Sequence, residues 1–560
     1  MFTVLPLLFS VLVLLPALVL LGNSNEFSYG LLYALRIGAL LCLAGTLVFG
    51  LLQSIFLRRF SDYVSVVLIW LLVGSYVQSQ FLVWDYGSLD GTPIAWNEYV
   101  GRGWIDLGVW AVLAVLAAWK TRWVKLHASR LSILIVGLHA ISLLPQVGSA
   151  PQLVRRPPAQ ELQELFSLSK ESNVIHIVLD ALQSPAFERA ITVEPELKDS
   201  FSGFTYFRNT TSAFPSTLPS VPAFLTGVPF DASVPLRRYY EETFKKSSLP
   251  TQLAAQGFSS RLATIPGFCQ FFAPGMCGEA RRFPGKSDLE FSISEYAEQL
   301  DLALFRASPQ FLKKHIYRNE QWLVQSLLAP KSSVGIGEDR GVLFAREFIQ
   351  KVHVSSDKPT YRFLHFLFPH PPIRLNAECE PLASFERIHV DNFTRQTRCA
   401  LRVAADIVNR LKALGVYDNS IIILSADHGT RLDFGQNQKN VLKDRNLPPI
   451  SRALPLLMIK PKGAKGALQT SEAPAQLMDL PATVSSLLGV SMQFPGRTVF
   501  ELGPQEERKR SFYDFSFRWS KWREVGMDDT FNGFPVFTIN GHAWDAKSWT
   551  RVGQAPLVDK

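Results

Sequence analysis

The stretch NVIHIVLD, residues 173–180, decides the fold of the larger part of this chain. Its short apolar run at 174–179 ends at Asp180, and similar runs recur at 362–368, 421–424 and 454–459. Helical periods separate these runs, at 339–353, 394–413 and 475–488. Short, fully apolar strands that alternate with helices are typical of a parallel sheet covered on both faces. The predicted fold class is therefore α/β, with a doubly wound sheet.

Polar residues directly follow two of these predicted strands. Asp180 follows the run at 174–179, and Asp427 and His428 follow the run at 421–424, within the sequence ADHG. Because the carboxyl ends of parallel strands meet at one edge of a sheet, the three side chains are expected to converge. A single aspartate at a strand end is more often a helix cap. Two carboxylates and an imidazole together predict a site for a divalent cation.

Two further segments carry candidate catalytic residues. The sequence FPSTLPSVPAFLTG, residues 214–227, holds Thr217 among three prolines, and this composition alone predicts a loop. In FPHPP, residues 368–372, we expect His370 to protonate a leaving group or to bind phosphate. His365 is the second candidate for that role, but we favour it as a core residue of a buried strand. His176 is predicted to be structural.

The first 150 residues form a separate, apolar part of the chain. Hydrophobic residues make up 47% of the whole chain and charged residues 19%, and the apolar excess lies almost entirely before residue 150. Five apolar stretches, at 3–22, 31–57, 64–84, 105–120 and 131–149, approach the roughly 20 residues that cross a bilayer. The sequence therefore predicts a five-helix transmembrane module at 1–149. The short stretch at 105–120 leaves a four-helix alternative open.

Loop charges predict the orientation of this module. The second loop carries Arg58 and Arg59, the fourth is basic between Lys120 and Arg130, and the third is acidic. Since basic loops stay in the cytoplasm, the N-terminus is expected inside and the large domain outside. The net charge of +9 is spread without a basic run, which argues against nucleic acid as a partner and favours anionic lipids or phosphorylated glycans.

Four of the five cysteines lie in the predicted extracytoplasmic part. They form two local pairs, which predict disulfides Cys269–Cys277 and Cys379–Cys399 in an oxidising compartment. A zinc site is the alternative, although no CxxC spacing supports it. Cys42 lies in an apolar helix and is predicted to be a small buried hydrophobe.

Two flanking segments complete the predicted domain organisation. Residues 150–171 are amphipathic and form either an interfacial helix on the membrane or a connector packed on the next domain. The predicted catalytic domain spans 172–504. Residues 505–560 are rich in tryptophan, phenylalanine and arginine and are expected to form a small antiparallel appendage.

Five motifs in order resemble the alkaline phosphatase/sulfatase superfamily over roughly residues 172–500. They are the strand ending at Asp180, TLPSVPAFLTG at 217–227, FPHPP, ADHG, and MDLPATVSSLLG followed by FPGRTVFEL at 478–502. The second motif resembles the sulfatase nucleophile stretch and puts Thr217 at the nucleophile position. Val221 stands where sulfatases have arginine, and a threonine cannot become the formylglycine that they use. Sulfate-ester hydrolysis by that route is therefore not expected.

Thr217, the Asp427–His428 pair and the leading apolar helices resemble the lipid A phosphoethanolamine transferases and lipoteichoic acid synthase. That resemblance implies one divalent ion, zinc or manganese, held by Asp180, Thr217, Asp427 and His428. It also implies a bacterial inner-membrane enzyme with a periplasmic domain. Such an enzyme passes a phospholipid headgroup through phospho-threonine to an envelope glycan or lipid. Those enzymes usually carry glutamate at the position of Asp180.

The identity of the donor stays open, because the Trp/Arg constellation with which lipoteichoic acid synthase holds glycerol phosphate is not found in the sequence. Two other functions also remain open: a non-catalytic envelope regulator or lipid sensor on the same fold, and a phosphodiesterase that passes its intermediate to water.

Overall fold

The chain forms two compact units in a computed structural model. One unit comprises Met1–Ala159 with Lys286–Gly337, and the other comprises Gln160–Gly285 with Glu338–Lys560. The structure describes residues 3–23, 27, 30–55, 61–86, 89, 94, 96–147, 163–279, 288–318, 321–328, 340–435, 439–515 and 533–555. The first part of the predicted linker at 150–171, up to residue 162, lies outside these described residues.

The first unit is mainly helical, with one short antiparallel pair of strands, Tyr317–Arg318 and Gln321–Trp322. Its N-terminal helix is continuous through a π-helical turn at Ser10–Leu14, between Val4–Phe9 and Leu15–Gly22. The longer helices that follow it are Leu31–Ile55, Ser61–Phe81, Val100–Trp119 and Thr121–Ile141, and a short turn of helix lies at Leu144–Val147. Three more helices belong to the same unit: Asp288–Ala307, Gln310–Ile316 and Leu323–Leu328.

Among the described residues, four helices rather than the predicted five are long and apolar enough to cross a membrane. They are Val4–Gly22, Leu31–Leu52, Tyr63–Phe81 and Trp96–Trp119. The helix Thr121–Ile141 is not among them: Arg122 and Lys125 lie in its first turns, and only Ala128–Ile141 is apolar. The stretch predicted at 105–120 belongs to a longer helix, which explains why it looked short. Four apolar helices fit a membrane anchor.

The segment at 286–337 groups with these apolar helices, whereas the sequence assigns it to the domain at 172–504. Tyr296 and Leu300 of its first helix share one buried cluster with Leu15 and Leu18. The backbone N–H of Gln310 donates to Asp106, which is fully buried. An amphipathic helix carries the same sequence pattern whichever apolar surface it covers, so the pattern could not identify this partner.

The second unit contains a mixed sheet, which has eight strands within the described residues. In chain order they are β1 (Asn173–Leu179), β2 (Thr205–Phe207), β3 (Ser259–Thr264), β4 (Cys277–Glu279), β5 (Thr360–Phe366), β6 (Ser420–Ser425), β7 (Leu457–Lys460) and β8 (Gln469–Ser471). Their spatial order is β8-β2-β7-β6-β1-β5-β3-β4. The strand β7 runs antiparallel to both of its neighbours, which corrects the predicted all-parallel sheet. A fully buried apolar run looks the same in either direction.

Helices cover both faces of this sheet, as the strand β1 shows. Its Ile175 and Ile177 belong to one buried core, together with residues of the helices Ser184–Val193, Arg340–Lys351 and Val390–Ala413. Its Val174 and Val178 belong to a second core, which includes the helices Thr217–Thr226, Leu249–Ala255 and Leu480–Leu488. Alternate residues therefore enter opposite cores, and burial on both sides explains the uninterrupted apolar run.

Smaller elements complete the second unit. A three-stranded antiparallel sheet near the C-terminus consists of β9 (Lys509–Tyr513), β10 (Phe534–Asn540) and β11 (Trp549–Ala555). Short strands pair as Ser167–Ser169 with His353–Ser356 and as Ile373–Leu375 with Pro381–Glu386. The cysteines pair as Cys269–Cys277 and Cys379–Cys399, which confirms the predicted pairing.

Candidate metal centre and nucleophile

The carboxyl edge of the central strands brings Asp180 and Asp427 together, because β1 and β6 are neighbouring parallel strands. Asp180 directly follows β1, and its backbone N–H donates to the carbonyl of Phe366 at 3.0 Å. The next residue, Ala181, has φ of 58°, a left-handed conformation that is uncommon outside glycine. This turn directs the N–H of Ala181 at Oδ1 of Asp427, 3.0 Å away.

Asp427 and His428 are both held in ligand-like orientations. Oδ1 of Asp427 accepts from the backbone N–H of Ala181 and from that of His428, each at 3.0 Å. Nδ1 of His428 lies 2.9 Å from the carbonyl of Gly429, which can only accept, so Nδ1 carries the proton. Nε2 of His428 therefore presents its lone pair to the site.

Thr217 begins a helix, Thr217–Thr226, and not the loop that its composition predicts. Ser216 precedes the helix with extended backbone angles, and Gly227 ends it with φ of 74°. Pro219 falls in the first turn, where no intrahelical partner is lost, and only Pro222 lies inside the helix. The hydroxyl of Ser220 donates to the carbonyl of Asp427 at 2.6 Å, which ties this helix to the ADHG loop.

The hydroxyl of Thr217 faces the acidic pair. Its Oγ1 lies 3.4 Å from Oδ2 of Asp180 and 3.3 Å from Nε2 of His428. The structure thus brings together Asp180, Thr217, Asp427 and His428, which the sequence analysis named as a group. Thr217 is half-buried, whereas the other three residues are buried. Of these four, only Thr217 is therefore open to an incoming substrate.

These residues fit a divalent metal ion. The ligand atoms of Asp180, Asp427 and His428 lie within 4.8 Å of one another. Oδ1 of Asp180 and Oδ2 of Asp427 are buried without a hydrogen-bond partner among the described residues. Unpaired carboxylate oxygens are costly to bury, and a bound cation removes that cost. Asp180, Asp427 and His428 are therefore the candidate ligands of a divalent metal.

Two histidines on β5 and in the loop after it lie near Asp180. Nε2 of the fully buried His365 is 3.3 Å from Oδ2 of Asp180, and its Nδ1 is 3.2 Å from the hydroxyl of Thr264. His365 is therefore both a core residue and a neighbour of the site, so it can hold Asp180 in position. The ring of His370 lies edge-on to that of His428, with centroids 6.4 Å apart.

Electrostatics favour an ionised Asp180. Burial alone would raise the pKa of this carboxyl, but the charge of His370 and the proximity of His365 and His428 lower the pKa of Asp180 to about 2. His176 lies within β1, and its Nε2 is 2.9 Å from the hydroxyl of Ser425 on β6. Burial lowers the pKa of His176 to about 3, so this ring is neutral and structural.

Gln183 and Arg452 hold two loops of the site in place, although no sequence motif identifies them. Oε1 of Gln183 accepts from the N–H of Thr430 at 3.0 Å and from its hydroxyl at 2.7 Å, which fixes the loop after His428. Nη2 of Arg452 donates to the carbonyl of Pro215 at 3.1 Å, two residues before Thr217. Both contacts join elements more than two hundred residues apart in the chain. No local pattern could predict them.

The fold is that of an α/β enzyme, and Asp180, Asp427 and His428 form its candidate metal site. The chain belongs to the sulfatase family, because the family model described as Sulfatase matches residues 172–490. This match covers the central sheet, Thr217 and the candidate metal ligands. No curated protein matches the chain.

Solved structures similar to the chain include a phosphonate monoester hydrolase and a lipoteichoic acid synthase. The phosphonate monoester hydrolase SpPMH from Silicibacter pomeroyi is 16% identical, covering 67% of this chain and 87% of its own, with a TM-score of 0.39. The lipoteichoic acid synthase LtaP from Listeria monocytogenes is 9% identical, covering 70% and 88%, with a TM-score of 0.39. The C-terminal periplasmic domain of EcEptC from Escherichia coli is 11% identical, covering 62% and 93%, with a TM-score of 0.36.

Proposed function

We propose that this protein transfers a phospho-alcohol headgroup, phosphoethanolamine or phosphoglycerol, from a phospholipid to an envelope glycan or lipid. The transfer runs through a covalent phospho-Thr217 intermediate, and the metal is one divalent ion, zinc or manganese. The observation that carries the proposal is the position of Thr217 Oγ1, within 3.4 Å of both Asp180 and His428. A threonine at that point provides a nucleophile for phosphorus and excludes the formylglycine chemistry of sulfatases.

Asp180, Asp427 and His428 would hold the ion. The ion would lower the pKa of the neighbouring hydroxyl and offset charge on the phosphoryl oxygens. Thr217 begins a helix of ten residues, so backbone N–H groups of the first turn and the helix dipole also favour the phosphate there.

Two displacements at phosphorus account for the transfer. First, Oγ1 of Thr217 releases its proton to solvent, from which it is recovered in the second step, and forms a bond to phosphorus, while the bond from phosphorus to the diacylglycerol oxygen breaks. His370 gives a proton to that leaving oxygen, which releases diacylglycerol. Second, a hydroxyl of the acceptor forms a bond to phosphorus and gives its proton to His370. The bond to Thr217 breaks, and Oγ1 is reprotonated.

The test follows diacylglycerol release by the full-length protein in detergent micelles with headgroup-labelled phosphatidylethanolamine or phosphatidylglycerol. Wild type is compared with Thr217→Ala, Thr217→Ser and the exposed control Thr192→Ala. We expect Thr217→Ala to lose at least about 10³-fold in rate, since removal of a covalent nucleophile has an effect of that order or greater. Thr217→Ser should keep part of the activity, and Thr192→Ala all of it.

Each outcome identifies one function. Diacylglycerol with label on an added acceptor supports the transferase. Diacylglycerol with free phospho-alcohol identifies a phosphodiesterase, and no turnover of either lipid while metal binds identifies a regulator or lipid sensor. Wild-type release by Thr217→Ala would refute the proposed nucleophile.

The membrane anchor supports an envelope location for this reaction. The loop charges favour a cytoplasmic N-terminus and a periplasmic catalytic unit in a bacterial inner membrane. The two cysteine pairs agree with an oxidising compartment for that unit. A phospholipid donor then lies in the same bilayer as the anchor.

A further inference from the structure

A cavity of about 570 Å³ lies in the second unit, apart from the candidate metal ligands. Its volume is within the range of about 300–1,000 Å³ that is typical of small-molecule sites. The charged and aromatic residues of its lining are Glu188, Arg208, Phe434, Trp544, Asp545 and Lys547. None of them takes part in the mechanism above.

Some of the residues that line the cavity follow elements at the same sheet edge as the metal ligands. Arg208 directly follows β2, and β2 runs in the same direction as β6 because both are antiparallel to β7. Arg208 and Asp427 therefore lie at the same edge, two strand spacings or about 10 Å apart. Glu188 lies on the helix that follows Asp180, and Phe434 lies in the segment that follows His428. The cavity lining and the metal ligands therefore come from ends of the same sheet edge and from the segments that follow them.

The polar wall of the cavity is held in place before any ligand arrives. Nε of Arg208 donates to Oε1 of Glu188 at 2.6 Å, and its Nη1 donates to Glu472 at 3.2 Å. The hydroxyl of Tyr206 donates to the same oxygen of Glu188 at 3.1 Å. The Arg208 guanidinium also lies over the ring of Trp544, 4.5 Å from its centroid. A wall with fixed donors and acceptors costs little entropy when it binds a ligand.

The lining excludes two ligand classes. Glu188 and Asp545 balance Arg208 and Lys547, and Glu472 also pairs with Arg208, so the cavity has no net positive charge that would select a phosphate. The helix that begins at Ser184 does not supply an anion site either, because the N–H of Ser184 already donates to the carbonyl of Leu454 at 3.0 Å. An acyl chain is excluded because it would strip water from four charged side chains.

We propose that this cavity binds a neutral saccharide unit, and that the acceptor of the proposed transfer is accordingly a glycan. The role of the sugar as acceptor rests on the proposed function. The binding of the sugar in the cavity does not depend on it. Hydroxyl groups can use carboxylate oxygens and guanidinium N–H groups of the lining. Sugar C–H groups can pack on Phe434 and on the part of Trp544 that lines the cavity beside Arg208 and His542, which both lie against its ring. The acceptor hydroxyl would then lie on a neighbouring sugar, nearer to Thr217.

The test measures binding without catalysis. Full-length protein in detergent is applied to an array of neutral oligosaccharides of glucose, galactose, mannose and N-acetylglucosamine, and hits are titrated. The variants are Trp544→Ala and Glu188→Gln, with Val552→Ala as the matched control, since Val552 is 50% exposed on β11 and does not line the cavity. Thermal unfolding of each variant verifies that it is folded.

We expect at least one oligosaccharide to bind wild type and Val552→Ala equally, and Trp544→Ala and Glu188→Gln at least about tenfold more weakly. Thr217→Ala should bind it as well as wild type does, which separates this inference from the proposed chemistry. Absence of any binding above background, undiminished binding by the folded cavity variants, or displacement of the sugar by inorganic phosphate would each overturn the inference.

Discussion

Replacement of Gly429 by alanine should disrupt the ADHG loop. A Cβ atom at this position would lie 2.1 Å from the carbonyl oxygen of Ser451, where contacts below 3.0 Å are essentially not found. The Cβ of Gln183 lies 3.3 Å away and leaves little room for a shift. The N–H of Gly429 also donates to the carbonyl of Arg452 at 2.9 Å, so the two backbone segments cannot separate without losing that bond.

The clash requires a backbone shift of about 0.9 Å, the difference between those two contact distances. His428 directly precedes Gly429, so the shift moves a candidate metal ligand. A misplacement of about 1 Å at a reacting centre costs about 10²-fold in rate, and overpacking costs about 1–3 kcal/mol of unfolding free energy. We therefore expect Gly429→Ala to lose about 100-fold in diacylglycerol release and to unfold more readily.

The assay pairs diacylglycerol release with calorimetric titration of zinc or manganese and with thermal unfolding. Gly503→Ala is the matched control, because the nearest atom to its added Cβ is a side-chain carbon of Glu506 at 3.9 Å. If Gly429→Ala keeps the rate and the metal affinity of wild type, the ADHG loop is not the rigid part of the site that the structure describes.

Three further perturbations address the support of the site. His365→Leu removes the contact between Nε2 of His365 and Oδ2 of Asp180, 3.3 Å apart, and should weaken metal binding about 10–100-fold by calorimetry. The exposed control His353→Leu should bind metal as wild type does. Replacement of Cys379 and Cys399 by serine opens a loop with a sequence separation of 20, and it should lower the free energy of unfolding by about 3 kcal/mol. An unchanged midpoint of denaturant unfolding would contradict this. Metal at about 100 times its Kd should stabilise the wild type by about 2.7 kcal/mol, and Asp427→Asn should show little of that gain in thermal unfolding.

The strand ends of the site could be predicted because they depend on local pattern and one topological rule. Asp180 and Asp427 each follow a fully buried strand, and parallel neighbours put both at one edge. Thr217 could be identified as a site residue only through the family resemblance, because a segment rich in serine, threonine and proline predicts a loop by its composition. The helix Thr217–Thr226 can form because Pro215 precedes it and Pro219 falls in its first turn, so that only Pro222 lies in its interior.

Long-range contacts account for what the sequence could not show. His365 is opposite Val178 in the register of β5 on β1, which brings its ring to Asp180. A histidine in a buried strand has the same sequence pattern whether or not it contacts a site. The cavity wall likewise joins Glu188 and Arg208 to Trp544, which lies near the other end of the unit in sequence. The prediction of a fifth span was wrong because its apolar residues continue a helix whose first turns carry Arg122 and Lys125.

The measurement that tests the central claim most directly is peptide mass spectrometry of the full-length protein after incubation with phospholipids and zinc or manganese. Wild type and Thr217→Ala are compared, and the tryptic peptide that contains residue 217 is followed. The account predicts a headgroup-phosphate adduct on Thr217, with a mass that identifies the donor, and no adduct in the variant. Turnover of lipid without any adduct on Thr217, or an adduct on another residue, would contradict the account.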